Sequence, residues 1–265
     1  MRPALMATAV CLLALTACSK PDAPKATEAQ GTAPAGPRLD DWSYSGDNGP
    51  EHWARLGGDS VTCGQGKRQS PIDLTGFPPA KVAELTLDYL SSTATIQNTG
   101  RFIQVSPSNG GALVMDKISY KLKSFHFRTP SEHIINGHRA ALETQFVHEN
   151  DKGQTLIVSV MSDIGVADPM LAPIWTFLPT DPGAPVAIPD VLLNARDLMP
   201  ATEEFYAYAG SLTAPPCTEE VTWLVAASPL SISPEQIDVY QRLIGSNARP
   251  AQPRNGRDLL HIIGG

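Results

Sequence analysis

Between Lys81 and Pro229 the chain is cut into short apolar or alternating runs, nearly all bounded by turn residues. KVAELTLDYL, ATIQNTG, FIQVSP, ALVMDKISYKLKSFHF, ALETQFVHE, QTLIVSVMS and EVTWLVAASP each suit a pleated strand and are too short or too regularly two-periodic for an amphipathic helix. This confines the folded part to a broad sheet. The 24 prolines and 21 glycines agree, because they punctuate turns and break helices. SPEQIDVYQRLI is the best helix, with Ser233 as N-cap, Pro234 in the first turn and Gln236 completing a capping box. A weaker helix is expected around Pro169 to Phe177. Composition does not shift between Asp41 and Gly265, so residues 41–265 are expected to form one domain. The net charge of −7 comes with no basic stripe, which argues against a nucleic-acid partner.

The N-terminus reads as a targeting segment. MRPALMATAVCLLALTAC has a basic start, an apolar run too short to span a bilayer, and small residues before Cys18. It resembles a bacterial lipoprotein signal, which makes residues 1–18 the expected signal peptide and Cys18 the lipidated first residue of the mature chain. Acyl chains would then tie the protein to a membrane without a spanning helix. By the same resemblance Ser19 favours a periplasmic lipoprotein on the outer membrane. Residues 19–40 are rich in Ala, Pro and polar residues and read as a flexible tether. With Cys11 in the signal and Cys18 lipidated, Cys63 and Cys217 are left to pair in an oxidising compartment. Their bridge would close a loop of roughly 150 residues, worth about 4–5 kcal/mol in the chain-entropy model.

Strand alternation places His126 and Arg128 on one face of SFHFR, with Phe125 and Phe127 on the other. In LETQFVHE, Glu143, Gln145 and Val147 share a face, and His148 lies opposite. Two neighbouring strands could therefore bring His126, Arg128 and Gln145 to one spot with Glu143 in support. Taken alone this is weak, since a strand histidine between phenylalanines is more often a satisfied core residue than a ligand.

The wider pattern is more specific. WSYSGDNGPEHW (Trp42 to Trp53), CGQGKRQSPIDL (Cys63 to Leu74) and FHFRTPSEH (Phe125 to His133) occur in that order. They are followed by ALETQFVHEN (Ala141 to Asn150), GSLTAPPCTEEVTW (Gly210 to Trp223) and NARPAQPRNGR (Asn247 to Arg257). Together these words resemble the α-class carbonic anhydrases over nearly all of the folded length. The resemblance implies a mostly β fold, a large twisted and mainly antiparallel sheet of about ten strands with short peripheral helices. It also implies the hydration of carbon dioxide by a hydroxide on zinc held by three histidines, and it matches the Cys63–Cys217 disulfide.

Carried onto this chain, the three metal positions are His126, Arg128 and Gln145. Arginine has no lone pair to give and stays protonated. Beside a dication it would be repelled by roughly several kcal/mol even at an effective dielectric near 20. An amide oxygen is a poor exchange for imidazole at zinc. No zinc, and no other cofactor, is therefore expected. His52 and His133 fall in words where the family uses them structurally, His148 faces away and His138 lies in a turn.

The resemblance makes Glu143 the carboxylate behind the third ligand, and Thr213 with Glu132 a hydroxide-orienting pair, vestigial here. Val147, Leu212, Ala214 and Trp223 become pocket wall. Arg101 stands where the family keeps a proton-shuttling histidine, a task a permanent cation cannot perform near neutral pH. The expected product is a zinc-less member, inactive or very weakly active, with a structural or binding role; the alternative is a working enzyme with an unusual metal site or slow metal-free activity. Arg128 either pairs with Glu132 or Glu143, or joins Arg101 to hold a small anion such as bicarbonate or a carboxylate. Nothing in the sequence marks a protein or glycan partner.

Overall fold

A computed structural model describes residues 41–265. The expected signal peptide, Cys18 and the tether lie outside the described residues. Among the described residues fifteen strands occur in chain order. They are β1 (Asp73–Leu74), β2 (Lys81–Ala83), β3 (Leu85–Tyr89), β4 (Ala94–Asn98) and β5 (Ile103–Pro107). Next come β6 (Gly111–Met115), β7 (Ile118–Arg128), β8 (Ile134–Ile135), β9 (Leu142–Glu149) and β10 (Thr155–Ile164). The last are β11 (Val186–Ala187), β12 (Glu204–Ser211), β13 (Glu219–Ala226), β14 (Leu230–Ile232) and β15 (Leu260–Gly264). Helices are short: α1 (Thr62–Gln65), α2 (Ala172–Thr176) and α3 (Pro234–Ile244).

Thirteen strands form one sheet, whose main path runs β11-β4-β5-β7-β9-β10-β13-β12-β15-β2. That path is ten strands wide, as the resemblance implies, and β3, β6 and β14 attach beside it. Most pairs are antiparallel, but β10 runs parallel to β13 and β14, and β15 parallel to β2. The α3 capping box forms as expected, with Ser233 and Gln236 exchanging side-chain and backbone bonds. The run from Ala112 to Phe127 is two strands, because Asp116 and Lys117 both adopt positive φ and turn β6 back onto β7.

Each face of the central sheet carries its own core. Tyr120, Leu122, Phe125, Phe127 and Phe146 belong to the larger cluster, closed over by Ile237 and Tyr240 of α3. Ile157, Met161, Tyr208, Val221 and Trp223 belong to a second cluster on the other face. The functional face depends on one irregularity. In β7 the even positions Tyr120 and Leu122 point into the larger core, yet so do the odd positions Phe125 and Phe127. The phase changes because the register with β9 slips between Leu122 and Ser124, leaving Lys123 as an extra, exposed residue. This bulge turns His126 and Arg128 onto the second face, where strict alternation from Leu122 would have buried them among the phenylalanines.

Candidate functional site

The β7–β9 register sets His126 directly opposite Gln145, and Arg128 opposite Glu143. On the far side of β9, Ser159 of β10 lies opposite Gln145. All are buried: Arg128 is 2% exposed, Gln145 1%, and Glu132 and Glu143 0%. The four residues that sequence places together are therefore together.

Their hydrogen bonds form a closed set. The Gln145 amide nitrogen donates to Glu132 Oε2 and to Glu143 Oε1, both at 2.8 Å. Two carboxylate acceptors fix the orientation of the amide, so its oxygen is the atom that faces His126 Nε2 at 3.0 Å. That oxygen can only accept, so Nε2 of His126 carries the proton and its lone pair sits on Nδ1. Burial, and then the neighbouring Arg128 charge, push the His126 pKa down to about 3. The ring is neutral throughout the physiological range.

Glu143 is the hub. Its Oε2 accepts from the backbone N–H groups of Glu132 and His133 at 2.7 and 2.8 Å. Its Oε1 also meets His133 Nδ1 at 2.8 Å and the Ser159 hydroxyl at 2.7 Å. Burial alone would raise its pKa, but His133 and these donors bring it down to about 2. His133 continues the network to the Tyr208 hydroxyl at 2.6 Å and packs on Trp223. The expected structural use of His133 has this geometry.

Arg128 pairs with Glu132, Nε to Oε2 at 3.4 Å, rather than with Glu143, and Nε lacks hydrogen-bond geometry there. Its Nη1 donates to the Tyr44 hydroxyl, and its guanidinium lies over the rings of Phe102 and Tyr44 at 4.8 and 5.5 Å. Burial works against the charged form, but the Tyr44 oxygen and the Glu132 carboxylate overcome it and raise the Arg128 pKa. Burial also raises the Tyr44 pKa, so at neutral pH Tyr44 is uncharged. Glu132 Oε1 accepts the backbone N–H of Arg249 at 2.9 Å. Arg249 is itself buried, with its guanidinium on the carbonyls of Ser70 and Cys63.

Thr213 is buried in the loop after β12, but no hydrogen bond joins it to Glu132 among the described residues. Glu132 instead accepts from the Arg249 backbone N–H and from the Gln145 amide. That loop is fixed by a Leu212–Thr218 backbone bond, by Cys217 N–H on the Ala214 carbonyl, and by the Cys63–Cys217 disulfide. Leu212 and Val147 pack half-buried against the second core, which includes Trp223. Arg101 does not converge on Arg128. Its Nε donates to the Trp42 carbonyl at 2.8 Å and its guanidinium lies 4.3 Å from the Trp42 ring centre. Arg101 lines a cavity of about 420 Å³ with Trp42, Tyr44, Thr99 and Ser246, and Arg128 does not line it.

The other histidines stand apart: His148 bonds Tyr89 at 2.8 Å on the opposite face, and His138 pairs with Asp163 near the surface. Among the described residues, no three His, Cys, Asp or Glu side chains are placed to hold a metal ion. The donor set does not fit zinc: one imidazole whose inward nitrogen is a donor, one amide and one guanidinium. Sequence reasoning missed Tyr44, Phe102 and Arg249, although Tyr44 and Arg249 sit inside two of the quoted words.

Comparison with known proteins agrees with the resemblance. The family model for eukaryotic-type carbonic anhydrase matches residues 48–262. A carbonic anhydrase from Pectobacterium carotovorum is 38% identical over 227 residues, covering 83% of this chain and 90% of that one. The structure of the Photobacterium profundum α-carbonic anhydrase superposes with a TM-score of 0.78 at 39% identity, covering 83% of this chain and 100% of the other. Dioscorin, crystallised with ascorbate, superposes with a TM-score of 0.77 at 32% identity, covering 85% and 99%. This chain belongs to the α-carbonic anhydrase family.

Proposed function

We propose that this chain keeps the family scaffold and has exchanged the zinc site for an internally satisfied network, leaving a zinc-free member with a structural or binding role. The observation that carries this is the Gln145 amide. By donating to Glu132 and Glu143 together, it presents its oxygen to His126 and makes Nε2 a donor. A metal arriving there would have to displace that hydrogen bond and sit beside a guanidinium already balanced by Glu132. The structural role is favoured over small-anion binding for Arg128, because it is buried, ion-paired and packed near two aromatic rings.

The test is stopped-flow carbon dioxide hydration with zinc supplied in excess. The expected trace equals the buffer blank. A zinc-dependent rate far above the blank, abolished by a chelator, would favour the alternative of a working enzyme with an unusual metal site.

We further infer attachment to the bacterial cell envelope through a lipid on Cys18, because the apolar run, the small residues and the cysteine fall in lipoprotein order. The chain expressed in a bacterium is expected to incorporate labelled palmitate, and Cys18→Ser to abolish it. Label retained in the variant would refute the anchor.

A further inference from the structure

Arg101 and Arg128 look like unrelated losses in the sequence, one of a proton shuttle and one of a metal ligand. In space they share a target. Arg101 holds Trp42 by carbonyl and ring, and Arg128 holds Tyr44 by hydroxyl and ring. Trp42, Tyr44 and Trp53 pack edge-to-face, with ring centres 5.3 to 5.7 Å apart. Trp53 Nε1 donates to the carbonyls of Ser43 and Asn48, and Ser43 N–H returns to Asn48. Residues 42–53 form a small knot whose described links to β7 and the β4–β5 turn include these two guanidinium groups.

We propose that Arg101 and Arg128 form a two-point latch that holds the Trp42–Tyr44 strap down over the former ligand face. Each arginine brings a permanent charge, which histidine lacks, on a flat group that packs against aromatic rings. The Arg128 guanidinium lies near the rings of both Tyr44 and Phe102, so opening the strap takes Tyr44 away from a buried cation. The strap is thus a lid whose catch is built from the replaced residues. This deepens the reading of a closed, zinc-free site and rests on it for the position of Arg128.

Hydrogen exchange on the purified chain tests the latch, comparing the parent with Arg101→Gln, Tyr44→Phe and the double variant. Tyr44→Phe keeps the ring and removes only the acceptor for Arg128. The Ser43 and His52 amides, bonded to Asn48 and Gly49, report strap opening. Phe146 and Val158 amides in β9 and β10 report the core. Exchange at Ser43 is expected to rise about fivefold in each single variant and about twenty-fivefold in the double, with the core unchanged. Parent-like exchange at Ser43 in both single variants overturns the latch, whatever the metal content. Faster exchange at Ser43 and the core by the same factor also overturns it, because the strap would then have no opening of its own. Stoichiometric zinc in the parent, with the strap still loosening in the variants, would instead overturn the preceding reading and support the latch.

Discussion

Changing Arg128 and Gln145 together to histidine is expected to give a chain carrying about one zinc, where the parent is proposed to carry none. The scaffold for this is intact. His126 and residue 128 share a face of β7, and residue 145 faces His126 across the β7–β9 pair. Glu143 already lies within hydrogen-bond distance of the residue-145 side chain and is locked by two backbone N–H groups and Ser159. It can therefore orient a new imidazole, the support that metal-bound histidines need. Losing Gln145 also frees His126 Nε2 from its hydrogen bond to the amide, which allows it to present a lone pair. Neither single change suffices: Arg128→His leaves the Gln145 clamp, and Gln145→His leaves the guanidinium. Metal analysis after dialysis reads all three variants. Zinc in both single variants at the level of the double would show that the ligand set is not what limits binding.

Removing the Arg128 charge is expected to cost the fold about 3–5 kcal/mol, because it leaves Glu132 buried without its cation. The pair is 3% and 0% exposed at the side chains, so solvent screening does not soften the loss. Arg128→Met approximates the length of the stem and keeps apolar contact with Phe102, which isolates the charge from the packing. In Arg128→Met with Glu132→Gln both charges are gone and part of the loss should return, since a neutral amide at 132 still accepts from Arg249 N–H. Urea unfolding of the four members of this cycle gives the coupling directly. An Arg128→Met variant within about 1 kcal/mol of the parent would mean that the ion pair is solvated and that the guanidinium does not stand in for the metal charge.

How much of this could be read in advance differs by feature. The convergence of His126, Arg128, Gln145 and Glu143 was legible, because two-residue periodicity fixes the faces of SFHFR and LETQF. The bulge at Lys123 was not, since an extra residue leaves no composition signal and shows only as a change of phase between Leu122 and Phe125. Whether Arg128 takes Glu132 or Glu143 depends on where the chain after Thr129 brings Glu132 back, and local pattern does not contain that path. Tyr44 and Arg249 contact the site across 84 and 117 residues, respectively, through elements with no regular period. Of the strands, β12 escaped because EFYAYAGS is diluted by alanine and glycine, and β1, β8, β11 and β14 because they are only two or three residues long; β15 escaped although it is as long as β3. The parallel pairs of β10 and β15 came from topology alone.

The central claim is that the residues at the three ligand positions satisfy one another and leave no set of lone pairs for a metal. Its most direct test is the zinc content of the purified parent chain, measured by elemental analysis after equilibration with excess zinc and exhaustive dialysis. The account predicts far less than about one zinc per chain, unchanged by prior chelation, because the only imidazole at the three ligand positions directs a proton inward. Stoichiometric zinc that survives dialysis and is lost from His126→Ala would contradict it.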